Sequence, residues 1–308
     1  MDGARPLWTT VLGRAQQATL GRMPDDLPDS PFLGSASSLT RQRLRARRFR
    51  RETRDVYVLA DHVPTLRLRV EALQTALPDA VASHTTAALL AGLPVPRDAR
   101  VHLTRPPGSG VSERPGVRTH RGHVRPSESV TDDGVRRTSP ARTWVDLAAR
   151  LPLVELVVLG DAVARLAGQD VLRDAVERAT GRRGVVRARQ ALERIDPGAD
   201  SPAETRARLV LHDAGFTALR HQVELRDEHG GWLSRPDLAD PAARVAVQYD
   251  GLVHLEGGPE QWRSDIDRDE RTRAAGWEVV VLTAVDLRRP HLLVAKVAAA
   301  YLRAGQRR

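Results

Sequence analysis

The stretch SRPDLADPAARVAVQYDGLVH, residues 234–254, decides how the chain is read. A Pro-Asp pair, Pro236-Asp237, comes first, and its acid also reads as a turn-initiating Asp at a strand edge. Val245-Ala246-Val247 follows as a short buried strand, and Gln248, Asp250 and His254 come at or beyond its end. Hard divalent cations such as Mg²⁺ take oxygen ligands, usually carboxylates and waters. Gln248 therefore stands where a metal site would want an acid.

Working outward, residues 200–308 read as one α-β-β-β-α-β-α unit of mixed α/β class. SPAETRARLVLHDAG opens it as a helix. HQVELRD is a strand that turns at His229-Gly230-Gly231. WLSRPDLAD is expected as the second strand and ARVAVQYDG as the third. The helix PEQWRSDIDRDERTRAAG ends at Gly276, WEVVVLTA is a fourth strand, and RPHLLVAKVAAAYLRAG is the last helix. Trp262 and Ile266 share a face of the fifth element and are expected against the sheet. The Pro-, Gly- and Asp-rich run IDPGADSPAE is a linker boundary.

Upstream, residues 81–195 hold a capped short helix (SHTTAALLAGLP), two strands (RVHLTRP and GVRTHRGHV) and further helices. Ser139 caps one of these, with Pro140 at the first helical position. His84, His102, His120 and His123 lie on different elements without zinc-like spacing, so ordinary core or surface roles are expected. Residues 1–80 hold a helix over 7–20, a polar loop, and then SSLTRQRLRARRFRRETRDVYVLAD. That order of capped helix, basic turn and short strand is the order of a winged helix's recognition helix and wing. Arg41, Arg43, Arg45, Arg47 and Arg48, with Arg50 and Arg51, are the candidates to line nucleic-acid phosphates.

A chain of 308 residues with 41% hydrophobic content has enough apolar mass for packed cores over two or three domains. It has no cysteine, which excludes disulfides, thiolate metal sites and a Cys nucleophile and fits a reducing cytoplasm. No stretch is apolar enough for a secretory signal or a membrane span, because Glu155, Asp161 and Arg165 interrupt the best candidate. The net charge of +9 suits a polyanionic partner. Lys296 is the one lysine among 48 basic residues, a skew that codon bias also produces.

SPAETRARLVL, RPDLAD, VAVQYDGLVH, DIDRDERTRAAGWEVVVLTA and the terminal helix resemble a family of small endonuclease-like domains. These are related to the very-short-patch-repair (Vsr) endonucleases of the PD-(D/E)XK superfamily. The first two segments resemble the N-terminal region of AbiEi-type antitoxins, through the SHTTAALLAGLP and TSPARTWVDLA stretches. The resemblance implies an N-terminal winged-helix-like region and small α/β part followed by a restriction-endonuclease-like mixed-sheet domain. It further implies phosphodiester hydrolysis with Mg²⁺ or Mn²⁺, DNA as partner, and a cognate toxin protein as a second partner.

By that resemblance Asp237 matches the first acid and Glu204 the helical acid, although Ser201 to Glu204 also reads as a capping box. Gln248 departs from the family's Glu: its carbonyl can still ligate a metal but adds no charge. Asp250 matches the family's Glu-x-Asp form, and His254 matches a histidine able to act as general base near neutral pH. Asp265, Arg268 and Asp269 match a recurrent pattern in which one residue touches the site. Two readings stand at this point: a metal-dependent endonuclease, or a non-catalytic AbiEi-type antitoxin or transcriptional repressor that uses the nuclease fold for binding only. The sequence leaves the oligomeric state open.

Overall fold

The structure is a computed structural model, and it describes residues 29–110, 114–250 and 258–306. The helix expected over 7–20 and His254 lie outside the described residues. The chain divides into two compact units, one ending at Ala76 and one beginning at Leu77.

In the first unit the described elements are β1 (Phe32–Leu33), α1 (Arg41–Leu44), β2 (Phe49–Thr53), β3 (Val56–Leu59) and α2 (Leu66–Ala76). The strands form an antiparallel sheet in the order β1-β3-β2. Thr40 Oγ1 accepts from the Arg43 N–H at 3.3 Å and starts α1, a single turn. Asp55, in the left-handed region at φ 62°, closes the β2-β3 hairpin. Phe32 meets Phe49 edge-on at 5.7 Å and stacks on Tyr57 at 6.2 Å, and Leu39 and Leu44 complete this small core. Arg41 and Arg43 lie on α1, Arg45, Arg47 and Arg48 in the turn after it, and Arg50 and Arg51 on β2.

The second unit opens with β4 (Val81–Ala82), α3 (His84–Leu90), β5 (Val101–Arg105), β6 (Val117–Arg121), β7 (Ser129–Asp132) and β8 (Val135–Thr138). These strands make a mixed sheet in the order β6-β5-β4-β8-β7. Four helices follow: α4 (Pro140–Leu147), α5 (Leu153–Ala167), α6 (Asp170–Arg178) and α7 (Val185–Leu192). Ser139 Oγ accepts from the Arg142 N–H at 3.4 Å, the cap expected from sequence. Trp144 is fully buried among Leu147, Leu156, Leu159 and Leu172, and its Nε1–H donates to the Leu156 carbonyl at 2.8 Å.

Gly184 precedes α7 at φ +91°, and a Cβ there would collide with the backbone of Ala148 and Ala149. Gly184→Ala is therefore expected to lower stability by about 1–3 kcal/mol, read by urea unfolding. An unchanged midpoint would contradict this close approach.

The remaining elements are α8 (Pro202–Asp213), β9 (Leu225–Arg226), β10 (Trp232–Ser234), β11 (Leu238–Asp240), β12 (Val245–Asp250), α9 (Gly258–Ala274), β13 (Glu278–Thr283), α10 (Ala284–Leu287) and α11 (Pro290–Gln306). The unit as a whole is α/β. β11 and β12 pair antiparallel and β12 and β13 parallel, with α9 as the crossover that a parallel pair requires. WLSRPDLAD, expected as one strand, is two. The chain leaves the β9-β10 hairpin at Ser234, and Pro236 cannot continue a ladder, so pairing resumes at Leu238 in another sheet. Alternation along β12 sends Val245 and Val247 toward Leu211 of α8 and Leu293 and Val297 of α11. It sends Ala246 toward Leu225, Leu233 and Trp277. Ile266, expected against the sheet, is exposed, and the side chain of Trp262 lies outside the described residues; among the described side chains of α9, Thr272 is buried and its Oγ1 bonds Ser234 Oγ at 3.2 Å.

Of the run IDPGADSPAE (195–204), expected as a linker boundary, residues 202–204 open α8 and the part before them is tied down. The Asp196 N–H donates to Asp161 Oδ1 of α5 at 2.8 Å, and Gln222 Nε2 donates to the Gly198 carbonyl at 2.9 Å. α8 packs on α5, and Leu209 joins the core built around Trp144. The segments on either side of residue 200 thus share one unit.

Candidate carboxylate site at the β11-β12 edge

Asp237 is set by the same Pro236 that breaks the ladder. Asp237 lies one residue before the Leu238–Val247 pair that ends the β11-β12 register, and Gln248 one residue after it, on the face of β12 that Ala246 and Asp250 also use. Asp237 Oδ2 accepts the Tyr249 N–H at 2.5 Å, which orients the carboxylate and leaves Oδ1 as the second donor oxygen. Its backbone carbonyl accepts from His221 Nδ1 at 2.7 Å. That bond sets the tautomer of His221 and leaves its buried Nε2 without a protein partner. Burial holds the His221 pKa below the usual value, against the pull of Asp196 and the Asp237 carbonyl.

Glu204 lies in the first turn of α8. Ser201 Oγ accepts the Glu204 N–H at 3.2 Å, and Glu204 Oε2 accepts the Asp200 N–H at 2.7 Å. The capping role is thus real. The same carboxylate also acts on the site: burial first, then the negative charges of Glu204 and Asp200, push the Asp237 pKa up to about 6, against the Tyr249 N–H and Arg268. Burial and the two neighbouring acids thus act on Asp237 in the same direction, burial foremost.

Gln248 Nε2 donates to Asp269 Oδ1 of α9 at 3.2 Å. Asp269 also faces Arg273 at 3.7 Å, with its side chain 15% exposed. Of the three α9 residues singled out in the sequence, Asp269 meets the site through Gln248 and Arg268 meets it through its field on Asp237; the side chain of Asp265 lies outside the described residues. Asp250 is exposed at the end of β12, paired with Thr283 of β13. The structure thus places Asp237 within the field of Glu204 and Asp200, with His221 on its carbonyl, and links Gln248 of the neighbouring strand to Asp269. No linear spacing announces His221 or Asp269, because each reaches the site from another element. The arginines 41–51 belong to the first unit, where Arg41, Arg45, Arg47, Arg48 and Arg51 are exposed. Among the described residues no helix is long and apolar enough to cross a membrane.

No protein-family model matches the chain. It is 32% identical over 247 residues to two Mycobacterium tuberculosis proteins, MT2308 of strain CDC 1551 / Oshkosh and Rv2248 of strain ATCC 25618 / H37Rv, both named as uncharacterized. Each match spans 78% of this chain and 89% of the relative. Among solved structures, the crystal structure of RV2827C from Mycobacterium tuberculosis covers 58% of this chain and 68% of its own, at 15% identity and a TM-score of 0.37, too low to establish a shared fold.

Proposed function

The chain belongs to the same family as the Mycobacterium tuberculosis proteins MT2308 and Rv2248, and from the carboxylates around Asp237 we propose that it is a DNA-directed, divalent-metal-dependent phosphodiesterase. The observation that carries the proposal is Asp237, raised toward neutral pH by burial and by Glu204 and Asp200. A cation supplies the countercharge that such a cluster lacks. The donors are all oxygen: Asp237 Oδ1, Glu204 and the Gln248 carbonyl, a set that fits Mg²⁺ or Mn²⁺ and not a soft metal. When bound, the metal would neutralise phosphate oxygens and activate water.

The protein's own groups have separable parts in this reading. The Tyr249 N–H orients Asp237, and the α8 cap holds Glu204. Asp269 fixes the Gln248 amide and supplies nearby the negative charge that Gln248 lacks. A glutamate at 248 would face Asp269 as a like charge unless a cation lay between them. Asp250 and His254 keep the roles implied by the resemblance, as a further acid and a proton carrier. The one-turn helix, basic turn and hairpin of the first unit support a winged-helix-like reading, with exposed Arg41, Arg45, Arg47 and Arg48 meeting DNA phosphates alongside Arg43. The AbiEi and Vsr-like resemblances belong to this proposal.

One observation favours a second reading. The Gln248–Asp269 hydrogen bond satisfies the amide without any metal, as a non-catalytic antitoxin or repressor would need.

Titration with Mn²⁺ followed by electron paramagnetic resonance separates the two. Wild type is expected to bind Mn²⁺, and Gln248→Glu to bind it about tenfold more tightly, since one added charge beside a cation contributes on the order of 1–2 kcal/mol after screening. Absence of Mn²⁺ binding in both proteins would favour the binding-only reading.

A further inference from the structure

The sequence assigns His84, His102 and His120 ordinary roles, yet the fold brings them together. His84 begins α3 at φ 52°, His102 sits on β5 and His120 on β6, and one nitrogen from each lies within 4.8 Å of the others. His102 Nδ1 meets His120 Nε2 at 2.9 Å, and His102 Nε2 meets Asp98 Oδ2 at 2.9 Å. The His84 and His120 rings stack at 3.7 Å and 15°. His84 and His120 help line a cleft of about 790 Å³ in the second unit, a volume in the range of a small-molecule site.

The rest of that cleft is strongly cationic. Arg142 is neutralised by Glu128 and Asp146, each at 2.8 Å, and Arg182 faces Asp146 at 3.6 Å. Arg118, Arg121, Arg150 and Arg183 line the same cleft, and among the described residues none of them has a carboxylate partner within ion-pair distance. Burial, then the field of Arg118, with Arg100 and Arg183 adding to it, holds the Arg150 pKa below its usual value, against the pull of Asp98. Burial, then His102 and the nearby Arg150 and Arg118, depress His120 to about 4, so the ring is neutral at pH 7.

Two ligand classes compete for such a place, and geometry decides between them. A metal ion must lie near the plane of every imidazole that binds it, and two nearly parallel rings stacked 3.7 Å apart do not converge on one point. Arg118 and Arg150 would also repel a second cation. An anion has the opposite fit, because guanidinium groups recognise phosphate through paired N–H donors. A phosphomonoester brings two negative charges into a cleft whose arginines lack them, and the cleft has room for more than a bare phosphate.

We propose that this cleft binds a phosphomonoester of nucleotide size, held by Arg118, Arg150 and Arg183, with the imidazole stack as its floor. The same chemistry has two sources, a free mononucleotide and the 5′-phosphate end of a nucleic-acid strand. The site shares no residue with the Asp237 cluster.

The test is calorimetric titration of the full chain in EDTA, which removes metal from either site. The probes are inorganic phosphate, adenosine 5′-monophosphate, adenosine, and one ten-nucleotide DNA strand with a 5′-phosphate or a 5′-hydroxyl. The monophosphate is expected to bind at least tenfold more tightly than adenosine, and Arg118→Ala with Arg150→Ala to weaken it at least tenfold without shifting the melting temperature. A strand end is the source if the phosphorylated strand exceeds both the monophosphate and the hydroxyl strand tenfold; a free nucleotide is the source if the monophosphate binds as well as the phosphorylated strand. Equal binding of the two strands with no binding of phosphate or monophosphate would overturn the proposal. So would Zn²⁺ binding, measured without EDTA, that His102→Asn abolishes in a protein taking up no phosphomonoester.

Discussion

Asp237→Asn is expected to raise the melting temperature at pH 8 and to leave it unchanged at pH 4. Burial, reinforced by Glu204 and Asp200, lifts the Asp237 pKa from 3.8 to about 6. A carboxyl whose folded pKa lies above its unfolded value binds its proton more tightly when folded. Its burial penalty is therefore absent below about pH 4, grows between pH 4 and 6, and is full above that. A gap of just over two units corresponds to at most about 3 kcal/mol, or several degrees in a domain of this size. Asn keeps an oxygen to accept the Tyr249 N–H, so the comparison isolates the charge. Mg²⁺ at pH 8 should stabilise wild type and not the variant, because binding to the folded state alone adds stability by mass action. Scanning calorimetry at pH 4, 6 and 8, with and without Mg²⁺, reads both effects. An Asn variant that melts lower than wild type at pH 8 would show that the carboxylate is already compensated.

Asp161→Ala is expected to lose about 3–5 kcal/mol, because it strands a buried charge. Asp161 of α5 and Arg208 of α8 pair at 3.0 Å with side chains 2% and 4% exposed. Asp161 also accepts from Thr205 Oγ1 and from the Asp196 N–H, both at 2.8 Å, and Arg208 also donates to the Arg194 carbonyl at 3.0 Å. Burial outweighs these partners and raises the Asp161 pKa, so the intact pair is costly to hide and more costly to break. The double change Asp161→Leu with Arg208→Met should recover most of the loss. Urea unfolding measures both variants. A loss under 1 kcal/mol in Asp161→Ala would mean that this junction does not hold α8 to α5.

The residues explain what the sequence could and could not reveal. Ser139-Pro140 and Ser201-Pro202 announce their helices because capping is local chemistry. The apolar run at Val245 announces β12 because a buried strand is continuous in sequence. α/β class follows from those elements. WLSRPDLAD read as one strand, and the change of sheet at Pro236 was not legible, since the partner of Leu238 is set by tertiary pairing. The tie between Asp161 and Arg208 was hidden for the same reason, and the Pro- and Gly-rich run beside it resembled a linker. Glu204 shows two roles meeting in one carboxylate: one oxygen caps α8 while the charge raises Asp237. The three histidines are 18 residues apart in sequence, on β5, β6 and the start of α3, and only the parallel pairing of β5 with β6 and the turn at His84 unite them.

The most direct measurement is nicking of supercoiled plasmid with Mg²⁺ or Mn²⁺ by wild type, Asp237→Ala and Gln248→Glu. The expected result is cleavage by wild type that EDTA stops and that Asp237→Ala reduces by about 10³-fold or more, the scale of losing a group that acts on transition-state charge. No cleavage by wild type or Gln248→Glu, with plasmid still bound, would contradict the phosphodiesterase proposal and leave the antitoxin or repressor reading in its place.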